Sequence, residues 1–353
     1  MTFLIKTYGC QMNTYESQKL EEELLRLGLS KVDDLSKADL FIINSCSVRQ
    51  AAEDSVYGLG KQIKALGAGR PKVILTGCVT GAAKTSRRRY EVSYLQNKAP
   101  FIDYFLTSEE ILENLSIFTV EPPHGAALPQ GSTTLSGLVP ISYGCNNFCS
   151  YCIVPYARGP ERSRPFDEIK EEVEDLIAKG TTEIMLLGQN VNSWEGNGEF
   201  SGLVKIIHDL PGLTKLSFMT SNPWDFSDNL IEVLKLPKID RYLHLPVQSG
   251  DDEVLRRMNR HYTADDYLRL VTKIKTAVPE IAIGTDLIVG FPGETDEEFN
   301  HTVDLVKKVK FKKIYVSMYS PRKGTVSAEV MKDDVPKSVK RQRHSQILNL
   351  CKK

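Results

Sequence analysis

Three cysteines, Cys145, Cys149 and Cys152, lie close together in the segment GCNNFCSYC and are called the close trio below. Thiolates are the usual ligands of iron–sulfur clusters, and a cluster of four irons normally takes four of them. With three thiolates, one iron keeps an open coordination position. The spacing therefore predicts a cluster that binds a further ligand at iron. A structural zinc site is the alternative, but it prefers four ligands in paired short spacings.

Three more cysteines, Cys10, Cys46 and Cys78, each follow a predicted β-strand and are called the strand-end trio. The three strands are predicted at Phe3–Thr7, Leu40–Asn44 and Val73–Thr76. Ligands bind outside the carboxyl ends of the strands in an open α/β sheet, so these thiols are expected at one edge. We therefore predict a second three-thiolate site. The alternative is that they are ordinary buried cysteines. The seventh cysteine, Cys351, is given no role.

Length and composition exclude several classes of protein. With 353 residues, 41% hydrophobic and 25% charged, the chain can form two domains with well-buried cores. No apolar run approaches a membrane span and the start MTFLIKTYGC lacks a secretion signal, so a cytoplasmic location is expected. An odd number of cysteines fits a reducing compartment. The net charge of zero gives no general attraction to nucleic acid, so any RNA contact must be local.

Residues 1–118 alternate short β-rich runs with helical periodicity, which predicts a parallel-sheet α/β domain. Beyond the three strands above, the pattern predicts a strand at Ile102–Leu106 and helices at Thr14–Leu27, Arg49–Leu66 and Tyr90–Asn97. Residues 119–137, TVEPPHGAALPQGSTTLSG, are rich in Pro, Gly, Ser and Thr and predict an interdomain linker.

Residues 138–353 predict six strand–helix units, which would make an open, partial (β/α)6 barrel, with a doubly wound sheet as the alternative. The strands are predicted at Leu138–Tyr143, Ile184–Leu187, Leu216–Met219, Leu243–Val247, Gly284–Val289 and Ile314–Met318. A helix is predicted at Asp167–Ala178, with Asp167 as its N-cap and Gly180 as its stop. Chemistry in such barrels lies at the carboxyl ends of the strands, and the close trio follows the first strand.

The motifs resemble those of the radical S-adenosylmethionine methylthiotransferases. The first domain is similar in KTYGCQMN, INSCSVR and LTGC, and the second in YGCNNFCSYCIVPYARGPERSRP. The tRNA-modifying MiaB type is most similar in LLGQNVNSW, LPVQSGDDEVLRRMNRHYT and DLIVGFPGETDEEF. The resemblance runs from about residue 3 to 350. It implies an amino-terminal parallel-sheet α/β domain followed by a partial (β/α)6 barrel.

The resemblance also implies two 4Fe-4S clusters and S-adenosylmethionine as cofactors. The close trio would hold the radical cluster, whose open iron binds S-adenosylmethionine, and the strand-end trio an auxiliary cluster that carries sulfur. The implied reaction inserts a methylthio group at carbon 2 of isopentenyladenosine at position 37 of tRNA, next to the anticodon. No catalytic residue beyond the cluster ligands is expected.

Further contacts are expected at strand ends. The methionine amino group would meet Gly188, Gln189 and Asn190, and adenine would meet the Tyr151 backbone and the segment Ile288 to Gly290. Ser249 is a further candidate. Each of these residues has strand termination as its alternative role. RNA phosphate is expected at Arg158, Arg162 and Arg164, which follow the close trio, with surface ion pairs as the alternative.

The expected partners are a tRNA substrate, a reductant such as flavodoxin or ferredoxin, and an unidentified sulfur donor. No membrane partner is expected, and the protein is expected to be a monomer. The family normally continues into a small RNA-binding β-barrel, the TRAM domain, and this chain stops at Lys353. We therefore expect that domain to be absent and tRNA binding to be weaker and more sensitive to salt.

Two other functions stay open from the sequence. The same chemistry would serve threonylcarbamoyl-adenosine in tRNA or an aspartate of a ribosomal protein. A non-catalytic iron–sulfur protein is the alternative from a different class.

Overall fold

The computed structural model describes residues 1–48, 50–114, 137–196, 198–219 and 221–351 of the chain. These residues form two compact units. The first contains the described residues up to 114 together with Ile153–Glu161, and the second contains the rest from Gly137 onward. The predicted linker at 119–137 lies outside the described residues except for Gly137. Ile153–Glu161 belongs to the first unit, although sequence reasoning assigned it to the barrel domain.

A five-stranded parallel sheet forms the centre of the first unit, in the order β2-β1-β3-β4-β5. Its strands are β1 (Thr2–Tyr8), β2 (Ser30–Lys31), β3 (Leu40–Ser45), β4 (Lys72–Gly77) and β5 (Tyr104–Phe105). Every residue of β3 is buried, as expected for a central strand covered by helices on both faces. The parallel sheet predicted for this part of the chain is confirmed, with the short strand β2 as an addition.

Helices cover both faces of this sheet. They are α1 (Gln11–Arg26), α2 (Gln50–Gly58), α3 (Gly60–Ala65), α4 (Cys78–Lys84), α5 (Val92–Lys98), α6 (Ser108–Glu113) and α7 (Val154–Ala157). On one face, Leu24 of α1 packs with Ile42, and on the other, Ile63 of α3 packs with Ile43. The single helix predicted at 49–66 is wrong, because the chain breaks into α2 and α3. Gly60, the first residue of α3, packs tightly against Phe101: a Cβ there would lie 2.8 Å from the Phe101 ring, so a larger residue would not fit.

The second unit is built on six main parallel strands. Its strands are β6 (Leu138–Pro140), β7 (Ser142–Tyr143), β8 (Arg162–Ser163), β9 (Glu183–Leu187), β10 (Lys215–Phe218), β11 (Tyr242–His244), β12 (Ala282–Val289) and β13 (Lys313–Met318). The six main strands pair in the orders β6-β9-β10 and β11-β12-β13, and Leu216 of β10 forms a parallel bridge with Ile239, which lies just before β11. Each main strand therefore lies beside the next in the chain, which confirms the open partial barrel. The strands β7 and β8 pair antiparallel as a separate ribbon.

Helices follow the barrel strands. They are α8 (Phe166–Ala178), α9 (Phe200–His208), α10 (Asp228–Val233), α11 (Asp252–Arg257), α12 (Ala264–Ala277), α13 (Asp296–Val309), α14 (Val326–Val330) and α15 (Lys337–Cys351). The N-cap of α8 is Pro165, so the prediction of Asp167 was wrong; Asp167 lies in the first turn, where negative charge is favourable. Gly180, with φ of +93°, ends this helix as predicted. Within the described ranges, no helix is long and apolar enough to cross a membrane.

Candidate functional site

The strand-end trio lies at the carboxyl edge of the first unit's sheet. Tyr8 of β1 pairs with Ser45 of β3, and Ser45 pairs with Gly77 of β4. The three cysteines follow these register partners by one or two residues, so the parallel strands bring them to the same edge. The side chains of Cys46 and Cys78 share a hydrogen bond, which together with burial raises the pKa of Cys78.

Backbone N–H groups point toward this trio. Cys10 is the N-cap of α1, and Cys78 is the first residue of α4. The Val48 N–H donates to Cys46 Sγ over 3.3 Å. Helix N-termini and N–H donors favour negative charge on sulfur. The buried hydroxyls of Ser47 and Thr76 have no hydrogen-bond partner among the described residues, so this edge also offers polar groups to a ligand.

A buried ion pair stands beside the strand-end trio. Arg158 Nη1 lies 2.6 Å from Glu16 Oε1, and the two side chains are only 8% and 15% exposed. Burial by itself would lower the pKa of Arg158, but the charges of Cys78, Glu16 and Cys10 raise it well above its ordinary value. The predicted phosphate contact of Arg158 is therefore not supported. Its guanidinium makes a buried ion pair, whereas the alternative role was an ion pair on the surface.

Close packing of α7 on α4 positions Arg158. Tyr156 and Ala157 lie in one apolar cluster with Cys78. A Cβ at Gly81 would lie 2.0 Å from the Ala157 carbonyl oxygen, so only glycine permits this approach. The helix α4, which sequence reasoning did not predict, thus supplies both a thiol and the surface for α7.

The close trio lies on an irregular loop of the second unit. Cys145 and Cys149 are buried and Cys152 is half-buried. Phe148 has φ of +46°, a left-handed conformation that costs a non-glycine residue roughly 1–2 kcal/mol. The Asn259 amide holds this turn by donating to the Phe148 carbonyl over 3.1 Å. Backbone strain of this kind persists only where neighbouring groups fix it, and it concentrates at functional sites.

Neither trio is arranged around a single metal ion. In the described part of the chain, no three His, Cys, Asp or Glu side chains converge on one such point. Zinc needs its sulfur ligands about 2.3 Å from one centre, whereas each thiolate of a four-iron cluster binds a different iron. Three thiolates match the ligand set of a four-iron cluster with one open iron, whereas a structural zinc site needs four N or S ligands.

Unpartnered polar atoms mark the end of β9. The buried Ser142 Oγ and Asn190 Oδ1 have no hydrogen-bond partner among the described residues. The other amide atom of Asn190, Nδ2, donates to Asp225 over 3.3 Å. A Cβ at Gly188 would lie 2.7 Å from Ser142 Oγ, so glycine keeps the space at this strand end open. A polar ligand there would satisfy atoms that are costly to leave unpaired.

The other predicted cofactor contacts divide into two groups. Tyr151 and Ile288 pack against the same apolar cluster, which contains Phe291 and Tyr319. The Gly290 N–H donates to the buried Glu294 carboxylate over 2.6 Å. Ser249 is fully buried, and its hydroxyl bonds Thr302 and the Asp251 N–H over 3.3 and 3.2 Å. This arrangement favours a structural role for Ser249.

Arg162 and Arg164, the other two arginines predicted to contact RNA phosphate, differ in their exposure to solvent. Arg162 is exposed on β8. Arg164 donates to the Pro140 carbonyl over 2.7 Å and to Glu172 over 2.6 Å, with only 17% of its side chain exposed. Of the three arginines predicted to meet RNA, Arg162 is the exposed one.

Sequence reasoning missed three polar groups near these sites. Glu16 pairs with Arg158, and Arg260 donates to Cys149 Sγ over 3.5 Å. His244 lies 2.7 Å from Asp286, and its buried Nδ1 has no partner in the described chain. Arg260 lies in the motif LPVQSGDDEVLRRMNRHYT, so the motif was a signal that some of its residues lie at the site. Nothing local in the sequence marks Glu16.

Two family models match the chain. Residues 139–306 match the family described as the radical SAM superfamily, and residues 2–95 match the uncharacterized protein family UPF0004. The first match spans the close trio and the second contains the strand-end trio.

Two curated relatives are similar along nearly the whole chain. The tRNA-2-methylthio-N(6)-dimethylallyladenosine synthase of Clostridium tetani is 40% identical, over 100% of this chain and 81% of the relative. The protein of the same name from Caldicellulosiruptor saccharolyticus is 42% identical, over 99% of this chain and 77% of the relative. Among solved structures, the cobalamin-dependent S-adenosylmethionine radical enzyme OxsB has a TM-score of 0.58 at 9% identity. That match covers 99% of this chain and 55% of OxsB, and it shows a shared fold.

Proposed function

The chain belongs to the family of tRNA-2-methylthio-N(6)-dimethylallyladenosine synthases, and on that premise we propose how its residues add a methylthio group to isopentenyladenosine at position 37 of tRNA. It is a radical S-adenosylmethionine methylthiotransferase, with tRNA as its substrate and with S-adenosylmethionine and two 4Fe-4S clusters as its cofactors. The group is added at carbon 2 of the adenine ring.

One observation carries the assignment of roles to residues: a single chain has two separate sets of three thiols. Each set leaves one iron of a four-iron cluster without a protein ligand. We assign the close trio to the radical cluster and the strand-end trio to the auxiliary cluster. When bound, these cofactors supply the one-electron and sulfur-transfer chemistry that acid–base side chains cannot perform on an aromatic C–H bond.

The protein's own groups hold and orient these cofactors. The Val48 N–H donates to Cys46 Sγ, and Cys10 and Cys78 lie at the N-termini of α1 and α4, where the helix dipole favours a negatively charged ligand. The loop strained at Phe148 and held by Asn259 fixes the close trio. Asn190 and the open space at Gly188 would receive the methionine part of S-adenosylmethionine, and the Tyr151 and Ile288 to Gly290 backbones would receive its adenine.

The substrate base must be unstacked and single-stranded to reach such a site. We assign Arg162, which is exposed beside the close trio in sequence, to a phosphate contact. A low-potential one-electron donor such as flavodoxin or ferredoxin would act as reductant. We further propose that the protein is a cytoplasmic monomer, in the compartment where tRNA is used.

Mass spectrometry of tRNA nucleosides tests the substrate. Cells with the gene should contain 2-methylthio-isopentenyladenosine, and cells without it should accumulate isopentenyladenosine. Cells without the gene could instead keep an unchanged level of 2-methylthio-isopentenyladenosine and lose the methylthio derivative of threonylcarbamoyl-adenosine or of a ribosomal aspartate. That result would assign the activity to the alternative substrate. Release of deoxyadenosine by the reconstituted protein separates an enzyme from a non-catalytic iron–sulfur protein, which would release none.

A further inference from the structure

Four consecutive residues, from the last residue of α11 onward, support the loop of the close trio. The Ser150 hydroxyl donates to the Arg257 carbonyl over 2.8 Å, and the Ser150 N–H donates to the Met258 carbonyl over 3.0 Å. Asn259 donates to Phe148, and Arg260 donates to Cys149 Sγ over 3.5 Å. The segment from Arg257 to Arg260 is thus fitted to the loop at every position, and Arg260 is the one that reaches a thiol.

The guanidinium of Arg260 is held in place by two further hydrogen bonds and two aromatic rings. Its Nε donates to the Tyr262 hydroxyl over 3.2 Å, and its Nη2 donates to the Pro246 carbonyl over 3.1 Å. Its central carbon lies 4.6 Å from the ring centroid of Trp224 and 5.2 Å from that of Tyr262. These contacts fix the remaining donor, Nη1, on the sulfur of Cys149. Arginine provides such a rigid fork, and lysine does not.

The positive charge of Arg260 has no close carboxylate partner. Across the described ranges, no carboxylate oxygen lies within 4.0 Å of it. Its neighbour Arg257, by contrast, makes a two-bond ion pair with Glu298 over 2.9 Å. An arginine in proteins stays protonated, and solvent screens a half-buried charge less than an exposed one. The sulfur of Cys149 therefore faces a fixed cation that forms no ion pair within 4.0 Å in the described part of the chain, although the more distant Asp225 carboxylate interacts with its charge.

We infer that Arg260 is a positioning residue that raises the reduction potential of the cluster held by the close trio. One electron from the low-potential donor adds one negative charge to the cluster, so a fixed cation and an N–H···S bond favour the reduced form. Hydrogen bonds to cluster sulfurs and local charge are the means by which a protein sets such potentials. The inference rests on the proposed function, because it needs a cluster at this trio.

A redox titration followed by electron paramagnetic resonance tests the inference on the reconstituted full chain. The cluster of interest is recognised by the change in its signal when S-adenosylmethionine is added. In Arg260→Gln, we expect the ratio of reduced to oxidised cluster at a fixed potential to fall about tenfold, which is about 59 mV for one electron. The ratio for Arg260→Lys should lie between those of the wild type and Arg260→Gln. Arg256→Gln, which removes an exposed arginine paired with Glu253, is the control and should match wild type.

Iron content decides how each outcome is read. An Arg260→Gln protein with full iron and the wild-type potential would overturn the inference. If Arg260→Gln fails to hold its cluster, the potential of the Arg260→Lys cluster is compared with that of wild type. A lower potential than wild type supports the inference, and an unchanged potential overturns it. Loss of the cluster in both variants would mean that Arg260 builds the site and does not tune it, which also overturns it. A wild-type protein without a signal that responds to S-adenosylmethionine would instead contradict the proposed function.

Discussion

The two thiol trios each have an arginine beside them, but among the described residues only one of the two arginines is paired with a carboxylate. In the first unit, Arg158 is buried and makes a two-bond ion pair with Glu16, so its charge is balanced. In the second unit, Arg260 lies beside the Trp224 and Tyr262 rings and donates to Cys149, with no carboxylate within 4.0 Å in the described chain.

This difference matches the work assigned to each trio. A cluster that must accept an electron benefits from a nearby cation that forms no ion pair, because each electron adds negative charge. A site that carries sulfur needs a stable, organised edge, and a balanced ion pair adds order without a large net field. Two arginines thus serve different purposes. The presence of a nearby carboxylate at Arg158, and its absence at Arg260 within the described ranges, decides between them.

The largest effect is expected when one cysteine of either trio is replaced, because the cluster of that trio should then be lost. Cys149→Ala and Cys46→Ala should each lower the iron content of the anaerobically reconstituted protein from about eight to about four per chain. Iron and sulfide analysis measures this directly, and Cys351→Ala is the matched control that should keep about eight. An unchanged count in Cys46→Ala would remove the auxiliary site and, with it, one side of the comparison.

The buried ion pair between Arg158 and Glu16 should contribute to the stability of the first unit. Glu16→Gln leaves the buried Arg158 without its counter-charge and should lower the free energy of unfolding by roughly 3–5 kcal/mol. Urea unfolding followed by circular dichroism measures the loss. The control Glu23→Gln breaks the exposed pair with Arg26 on the same helix and should cost less than about 1 kcal/mol.

A second variant sharpens this result. Adding Arg158→Met to Glu16→Gln removes the unpaired charge and should recover at least half of the lost stability. Equal losses in the single and double variants would show that the side chains contribute through packing, and the balanced-charge account of the first unit would then be wrong.

A smaller effect is expected at the end of β9. Asn190→Ala should weaken the binding of S-adenosylmethionine about tenfold without loss of iron, since one hydrogen bond to a charged group contributes about 1.5 kcal/mol or more. Equilibrium binding to the loaded protein tests this. Asn229→Ala, an exposed asparagine that bonds Glu199, should bind the cofactor normally. Equal affinities for all three proteins would leave Asn190 with only its role at the strand end.

The smallest effect concerns RNA. Arg162→Ala should lower tRNA affinity several-fold and reduce the slope of log affinity against log salt by about one, as expected for one phosphate contact. Arg269→Ala, an exposed arginine on α12, should leave the slope unchanged. If Arg162→Ala binds like wild type at every salt concentration, the phosphate contact must be sought elsewhere.

The positions of the cysteines could be predicted because local patterns set them. An apolar run predicts a strand, and the carboxyl ends of neighbouring parallel strands meet at one edge, so Cys46 and Cys78 fall together. The parallel direction of the strands in both units followed from the alternation of strands and helices, whereas the strand order of the first unit was not predicted. The boundaries were less predictable: Cys78 begins a helix that its own short, small-residue segment does not announce.

The partners of the arginines could not be predicted, because they are far apart in the chain. Glu16 and Arg158 are separated by 142 positions, and Cys149 and Arg260 by 111. A basic residue after a cysteine loop has the same pattern whether it turns toward solvent or toward a buried carboxylate. The sequence therefore predicted a phosphate contact for Arg158 and gave no sign of its ion pair with Glu16.

The most direct test separates the work of the two trios in one reaction. Reconstituted wild-type and Cys46→Ala proteins are incubated with reductant, S-adenosylmethionine and tRNA that contains isopentenyladenosine, and deoxyadenosine and the methylthio nucleoside are both quantified. We predict that the wild-type protein forms both products and that Cys46→Ala forms deoxyadenosine alone. Methylthio nucleoside from the Cys46→Ala protein, or no deoxyadenosine from wild type, would contradict the division of labour between the two trios.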